Sequence, residues 1–184
     1  MPSLKEVLRL SANDFFRYIR GINYGYVDVY GVIHHISPAD NCADQNSAPY
    51  RFSSPEQVVH NNCGWCWDIA ELIRLWCEKN NIEYKCVFFE YHSTELHRTH
   101  TQVFAKFKGK WFEAPDNTSP VIFGENGYDS AEACISAFTD LFRTYLKHEL
   151  GDKYNENILL VKEFRNTIAP GLSDEEYLTI VRGN

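Results

Sequence analysis

A chain of 184 residues with 44% hydrophobic and 15% aromatic residues is long enough and apolar enough to fold around a core. Its formal net charge of -7 argues against nucleic acid as the main partner, because phosphate binding needs a basic patch, and the densest basic stretch, Lys106 to Lys110, reads as a solvated hairpin tip. No apolar run approaches membrane-spanning length and the first residues carry no apolar leader. This predicts a cytoplasmic protein that needs no membrane, with signal-independent export also compatible.

In chain order, Ser3-Leu4-Lys5-Glu6 has the pattern of a capping box that opens a short helix, and Ser11 to Asp14 start a second helix ending near Gly21. Tyr24 to Ile36 is aromatic and β-branched with two internal glycines, which predicts a strand or an irregular hairpin. Ser37 to Arg51 is polar and predicts a loop, a candidate lid or a plain surface excursion. Ser54-Pro55-Glu56-Gln57 starts a helix that ends near His60, and the main helix runs from about Cys66 to Asn80. A strand over Ile82 to Tyr91 follows. Then comes a hairpin of His100 to Lys108 and Lys110 to Ala114, turning at Lys108-Gly109. Asp129 to Glu132 cap a long helix to about Leu150, with Ile135, Phe138, Phe142 and Tyr145 facing inward. A last strand over Ile158 to Phe164 and a helix capped at Ser173 complete the chain. Strands grouped after a central helix and joined by short turns predict an α+β fold with an antiparallel sheet, in one domain over 1–184.

The chemistry begins at Cys63-Gly64-Trp65-Cys66-Trp67-Asp68, where a loop becomes a helix. Cys66 shares a helical face with Ile69, Ala70 and Ile73, and a thiol in the first turn sees the positive end of the helix dipole, which favours thiolate. The other cysteines are scattered. Cys77 and Cys86 stand in apolar contexts that suit buried, inert thiols, and the six cysteines do not make a disulfide scaffold. His100, at the start of its strand, can meet a helix N-terminus at the sheet edge, whereas His97 falls in the preceding polar connection. Glu113 and Asp116 are the acids in reach. A two-residue turn puts His100 and Glu113 on one face, and a bulge or longer turn would favour Asp116. Two rivals use the same cysteines. One is a Cys63–Cys66 dithiol, which lacks the preceding buried strand it needs, and the other is a zinc site of His60, Cys63 and Cys66, which lacks a fourth ligand.

Gly64-Trp65-Cys66-Trp67-Asp68-Ile69-Ala70-Glu71-Leu72, His100-Thr101-Gln102-Val103-Phe104 and Gly109-Lys110-Trp111-Phe112-Glu113 resemble, in that order, the transglutaminase-like superfamily of papain-like cysteine enzymes, in its small bacterial members. Tyr24-Gly25-Tyr26 and Tyr50 to Glu56 add to the likeness, which covers about 24–118. The resemblance implies a papain-like core, Cys66 as nucleophile and His100 as general base. The family's usual aspartate falls at Pro115; Asp116 stands one residue later, and the Trp-Phe-Glu pattern of some small members matches Glu113. It further implies acyl transfer without cofactor or metal, on a peptide, protein or small amide, with water or an amine as acceptor. The oxyanion would bind the Cys66 N–H and one further donor, for which Tyr26 and Asn62 are candidates. The alternative is a binding module that keeps the fold without the activity.

Overall fold

The computed structural model describes residues 2–36, 50–165 and 167–183. The predicted loop over Ser37 to Arg51 lies outside the described residues apart from its last two positions.

Helices α1 (Leu4–Val7) and α2 (Ala12–Arg20) start at the expected serines, and Ser3 forms a full capping box with Glu6. The aromatic segment resolves into an antiparallel hairpin of β1 (Asn23–Val27) and β2 (Ile33–His35). Helix α3 (Pro55–Asn61) has its own capping box between Ser54 and Gln57, and it ends at Asn62 in a left-handed conformation, with φ 48°. That reversal feeds a two-residue strand, β3 (Cys63–Gly64), which pairs in parallel with β1. The hydrophobic pattern carries no sign of this pair, because two residues are too few to show a period.

Gly25 explains why the hairpin can sit so close to the cysteines. A Cβ there would lie 2.0 Å from the His34 carbonyl oxygen and 3.1 Å from the Cys63 sulfur, at φ +156°. Gly25→Ala is therefore expected to destabilise the fold by about 1–3 kcal/mol or more, through overpacking against backbone that has no room to yield. Thermal unfolding measures this; an unchanged midpoint would show that the β1–β2 hairpin is not held in this register.

The main sheet has the order β6-β5-β4-β7 and is antiparallel throughout, built from β4 (Tyr84–His92), β5 (His97–Phe107), β6 (Lys110–Ala114) and β7 (Leu159–Phe164). β5 begins at His97, three residues before the predicted start, so His97 is a strand residue and His100 is not the strand's first. The turn at Lys108 and Gly109 has positive φ at both positions, 50° and 81°, as a two-residue hairpin with matching twist requires.

Both faces of the sheet are covered. On one side lie α4 (Cys66–Lys79) and the first three helices, packed on Cys86, Val103, Ala105, Phe112 and Ala114. The C-terminal helix α6 (Asp174–Arg182) joins them there, with Tyr177 and Val181 against Phe88. On the other side α5 (Ala131–Leu150) packs Cys134, Ile135, Phe138 and Phe142 on Val87, Phe89, Phe104 and Trp111; Tyr145, predicted to face inward, is exposed. β4 is buried on both faces, which is why its sequence reads as an almost unbroken apolar run. The fold is thus α+β, with an antiparallel main sheet, a small mixed sheet and flanking helices. No helix among the described residues is long and apolar enough to cross a membrane.

Candidate functional site

Cys66 is the first residue of α4, and Trp65 is its N-cap. Trp65 cannot cap with its own side chain. The Asp68 carboxylate reaches back instead and accepts from the Trp65 N–H at 3.1 Å through Oδ2. Asp68 Oδ1 also accepts from the Tyr50 hydroxyl at 2.5 Å and from the Ser53 N–H at 2.9 Å. The carboxylate is fully buried, and burial pushes its pKa up to about 7 even though these hydrogen bonds hold it down. Burial, reinforced by Asp68 beside it, also raises the Tyr50 phenol well above its ordinary value. Asp68 therefore ties the segment at 50–53 to the start of the cysteine helix, a role for which its place at the third helical position was the available signal.

Cys66 is buried, and aromatic rings crowd the residues around it. Trp65 stacks on Tyr50 at 5.3 Å and meets Tyr26 edge-on at 4.9 Å; Trp67 stacks on Tyr177 at 4.1 Å. The indole N–H groups of both tryptophans, on either side of the nucleophile candidate, are buried with no hydrogen-bond partner among the described residues. Cys63 lies deeper than the sequence indicated. It is buried in β3, and burial first, then the Asp68 charge, push its thiol up to about 11. Cys77 and Cys86 are buried in the main core, as expected of inert thiols.

His100 is held by a different set. Its ring stacks on Phe138 at 5.6 Å, and its Nε2 lies 3.1 Å from Gln102 Oε1 and 3.9 Å from Asp116 Oδ2. Gln102 decides the tautomer. Its amide nitrogen donates to the carbonyls of Ala114 at 2.6 Å and Val103 at 3.1 Å, so its oxygen must face the imidazole as an acceptor. Nε2 then carries the proton, and Nδ1 presents the lone pair that a general base needs.

The two acids divide as follows. The hairpin register pairs Phe104 with Glu113, so Glu113 shares the His100 face as the two-residue turn predicts. Yet Asp116 is the carboxylate nearer the ring. Its other oxygen is fixed by the Thr118 N–H at 2.7 Å, the Thr118 hydroxyl at 2.8 Å and the Ser119 N–H at 2.8 Å. Glu113 is reached by the Ser119 hydroxyl at 3.2 Å; burial raises its pKa, opposed by Ser119 and by the charge of His100. Sequence parity could not find Asp116, because the residue lies past the end of β6, where pairing rules stop.

The faces of β5 bear directly on the triad. Val103 and Ala105 pack under α4, and the Thr101 hydroxyl meets Tyr177 of α6 at 2.6 Å, whereas His100, Gln102 and Phe104 face α5. Cys66 belongs to the Phe88–Tyr177 cluster on the α4 side. The His100 ring is thus packed on the opposite face from the helix that carries Cys66, whereas the sequence predicts only that it can meet a helix N-terminus at the sheet edge. The link between them is Asn117. It follows Asp116 directly, and its amide donates to Gly64 O at 3.0 Å and to Ile22 O at 3.3 Å, so the segment after β6 binds the acid end of the site to the entry of α4. His60, Cys63 and Cys66 are not among the groups whose donor atoms converge for a metal among the described residues. Compared with known proteins, the chain matches no family model and no curated protein.

Proposed function

We propose that this protein is a cysteine-dependent acyl-transfer enzyme that acts on amide bonds, with Cys66 as nucleophile, His100 as base, and Asp116 rather than Glu113 as the acid facing the imidazole. The observation that carries this reading is that Gln102 and Asp116 both place an oxygen on the Nε2 side of His100. That leaves Nδ1 for the thiol proton, and the transfer requires Cys66 and His100, which pack on opposite faces of the sheet, to meet at the edge of β5. The place of Cys66 at the start of α4 supports it, since the dipole there favours thiolate. So does the motif order shared with small transglutaminase-like enzymes, whose papain-like core this proposal includes. Cys66 would attack the amide carbonyl and form a thioester. His100 would take the thiol proton and return it to the leaving amine, and water or a second amine would then release the acyl group. The unpartnered indole N–H groups of Trp65 and Trp67 are candidate donors to the substrate carbonyl, ahead of Tyr26 and Asn62.

Alkylation of the thiols, titrated against pH and mapped by peptide, tests the proposal. Rapid labelling of Cys66 below pH 7 that disappears in His100→Ala is the expected result; slow labelling of Cys66 with the profile of an ordinary thiol would overturn it. The acids separate in the same assay and in turnover. Asp116→Asn is expected to lower activity roughly ten- to hundredfold, less than loss of the base because Gln102 still holds the ring, and Glu113→Gln is expected to lower it less. The reverse order would return the role to Glu113.

A further inference from the structure

We propose that Glu90, His92 and His97 form a binding site for a borderline transition-metal dication such as Zn²⁺, separate from the residues assigned to acyl transfer. One ligand atom from each of the three lies within 4.8 Å of the others. The cluster is built on two paired strands. His92 and His97 are direct cross-strand partners at the mouth of the β4–β5 hairpin, their rings 4.3 Å apart, and Glu90 lies two residues earlier on the same face. Two imidazoles and one carboxylate are the donor set that zinc, nickel and copper prefer, whereas magnesium and calcium take oxygen cages.

The burial of the three residues suits such a site. Glu90 is buried, His97 is partly buried and His92 is exposed, so the cluster has a fixed floor and an open side where water completes the coordination. Arg182 of α6 grips the buried carboxylate through two nitrogens, with Nε on Oε2 at 2.8 Å, and so orients it as an outer-shell partner orients a ligand. At present His97 Nε2 sits 2.8 Å from Glu90 Oε1. Bonds of 2.0–2.1 Å require ligand atoms roughly 3.4 Å apart, so binding needs His97 to turn off the carboxylate and His92 to rotate from its stacked position. The nearby guanidinium charge opposes the metal and makes micromolar rather than nanomolar affinity the expectation. An ion here would lock the mouth of the hairpin and, through Glu90 and Arg182, the end of α6.

Titration of the metal-free full chain with Zn²⁺ by calorimetry, and with Co²⁺ by absorption, tests the site. One equivalent should bind, without the thiolate charge-transfer band that a cysteine site gives, and the Cys63→Ser/Cys66→Ser variant should bind equally well. His92→Ala, an exposed change that leaves the metal-free unfolding midpoint in place, should weaken binding at least about tenfold, and His97→Ala should do the same. Mg²⁺ should not compete. Failure to bind, a thiolate band, or affinity untouched by His92→Ala would overturn the proposal. None of these outcomes depends on catalysis.

Discussion

Alanine at Cys66 or at His100 is expected to lower amide turnover by on the order of 10³-fold or more, and the double variant is expected to be no worse than the poorer single one. The reason is that the two act as a unit. Without the imidazole the thiol loses its proton acceptor and the leaving amine its donor; without the sulfur the imidazole has nothing to activate. Two structural roles would instead give effects that add. The measurement is the rate of each variant on a panel of peptide and glutamine amides, with circular dichroism to confirm the fold. Cys66 is buried within the aromatic cluster, so Cys66→Ser, which keeps a side-chain atom at the sulfur position, is the closer control: it should lose turnover while the fold is kept, with stability lowered by no more than about 1–3 kcal/mol through burial of the hydroxyl. Additive losses, or a His100→Ala enzyme that keeps its rate, would reduce the site to packing.

The second large effect concerns stability. Asp68→Ala should cost on the order of 3–5 kcal/mol, because it leaves the Tyr50 hydroxyl and the N–H groups of Ser53 and Trp65 without their shared acceptor. The pH dependence has a definite sign. In the folded chain the carboxyl titrates near 7, above its ordinary value of 3.8. Between these values the folded protein holds a proton that the unfolded chain has released. Stability therefore falls as pH rises through that window, by as much as roughly 4 kcal/mol in total at 1.36 kcal/mol per unit. Asp68→Asn is the uncharged analogue and should flatten this dependence, at a cost of about 1–3 kcal/mol because its amide nitrogen cannot accept from the Trp65 N–H. Denaturant unfolding at pH 5.5 and pH 8 reads both effects. A wild-type protein more stable at pH 8, or an unchanged slope in Asp68→Asn, would show that another group governs the window.

Much of the architecture is legible in the residues themselves. The serines at 3, 11, 54 and 173 accept from the N–H groups of their helices' first turns, a contact spanning three residues, and so they are visible as spacing. The Lys108-Gly109 turn likewise sets the β5–β6 register, and with it the face shared by His100 and Glu113. The start of the cysteine helix is readable from the three- and four-residue spacing of Ile69, Ala70, Ile73, Trp76 and Cys77 after Cys66.

Tertiary structure decided everything that depends on what covers a face. Alternation along β5 says that His100 and Thr101 point apart, but only the packing of α4 and α5 determines that Thr101 lies on the cysteine side and His100 against Phe138. Asp116 approaches the imidazole because the chain turns past the end of β6 and is pinned there by Thr118, Ser119 and the Asn117 bond to Gly64. The Gln102 contacts that fix the tautomer, the parallel β1–β3 pair and the union of Glu90 with Arg182, 92 residues apart, have the same origin. Local hydrogen bonds and side-chain alternation are properties of a few neighbouring residues, so the sequence by itself determined the helices, their serine caps, most of the strands and the β5–β6 register. Contacts between distant segments depend on how whole elements pack, and only the folded chain could assign the partners of Cys66 and His100.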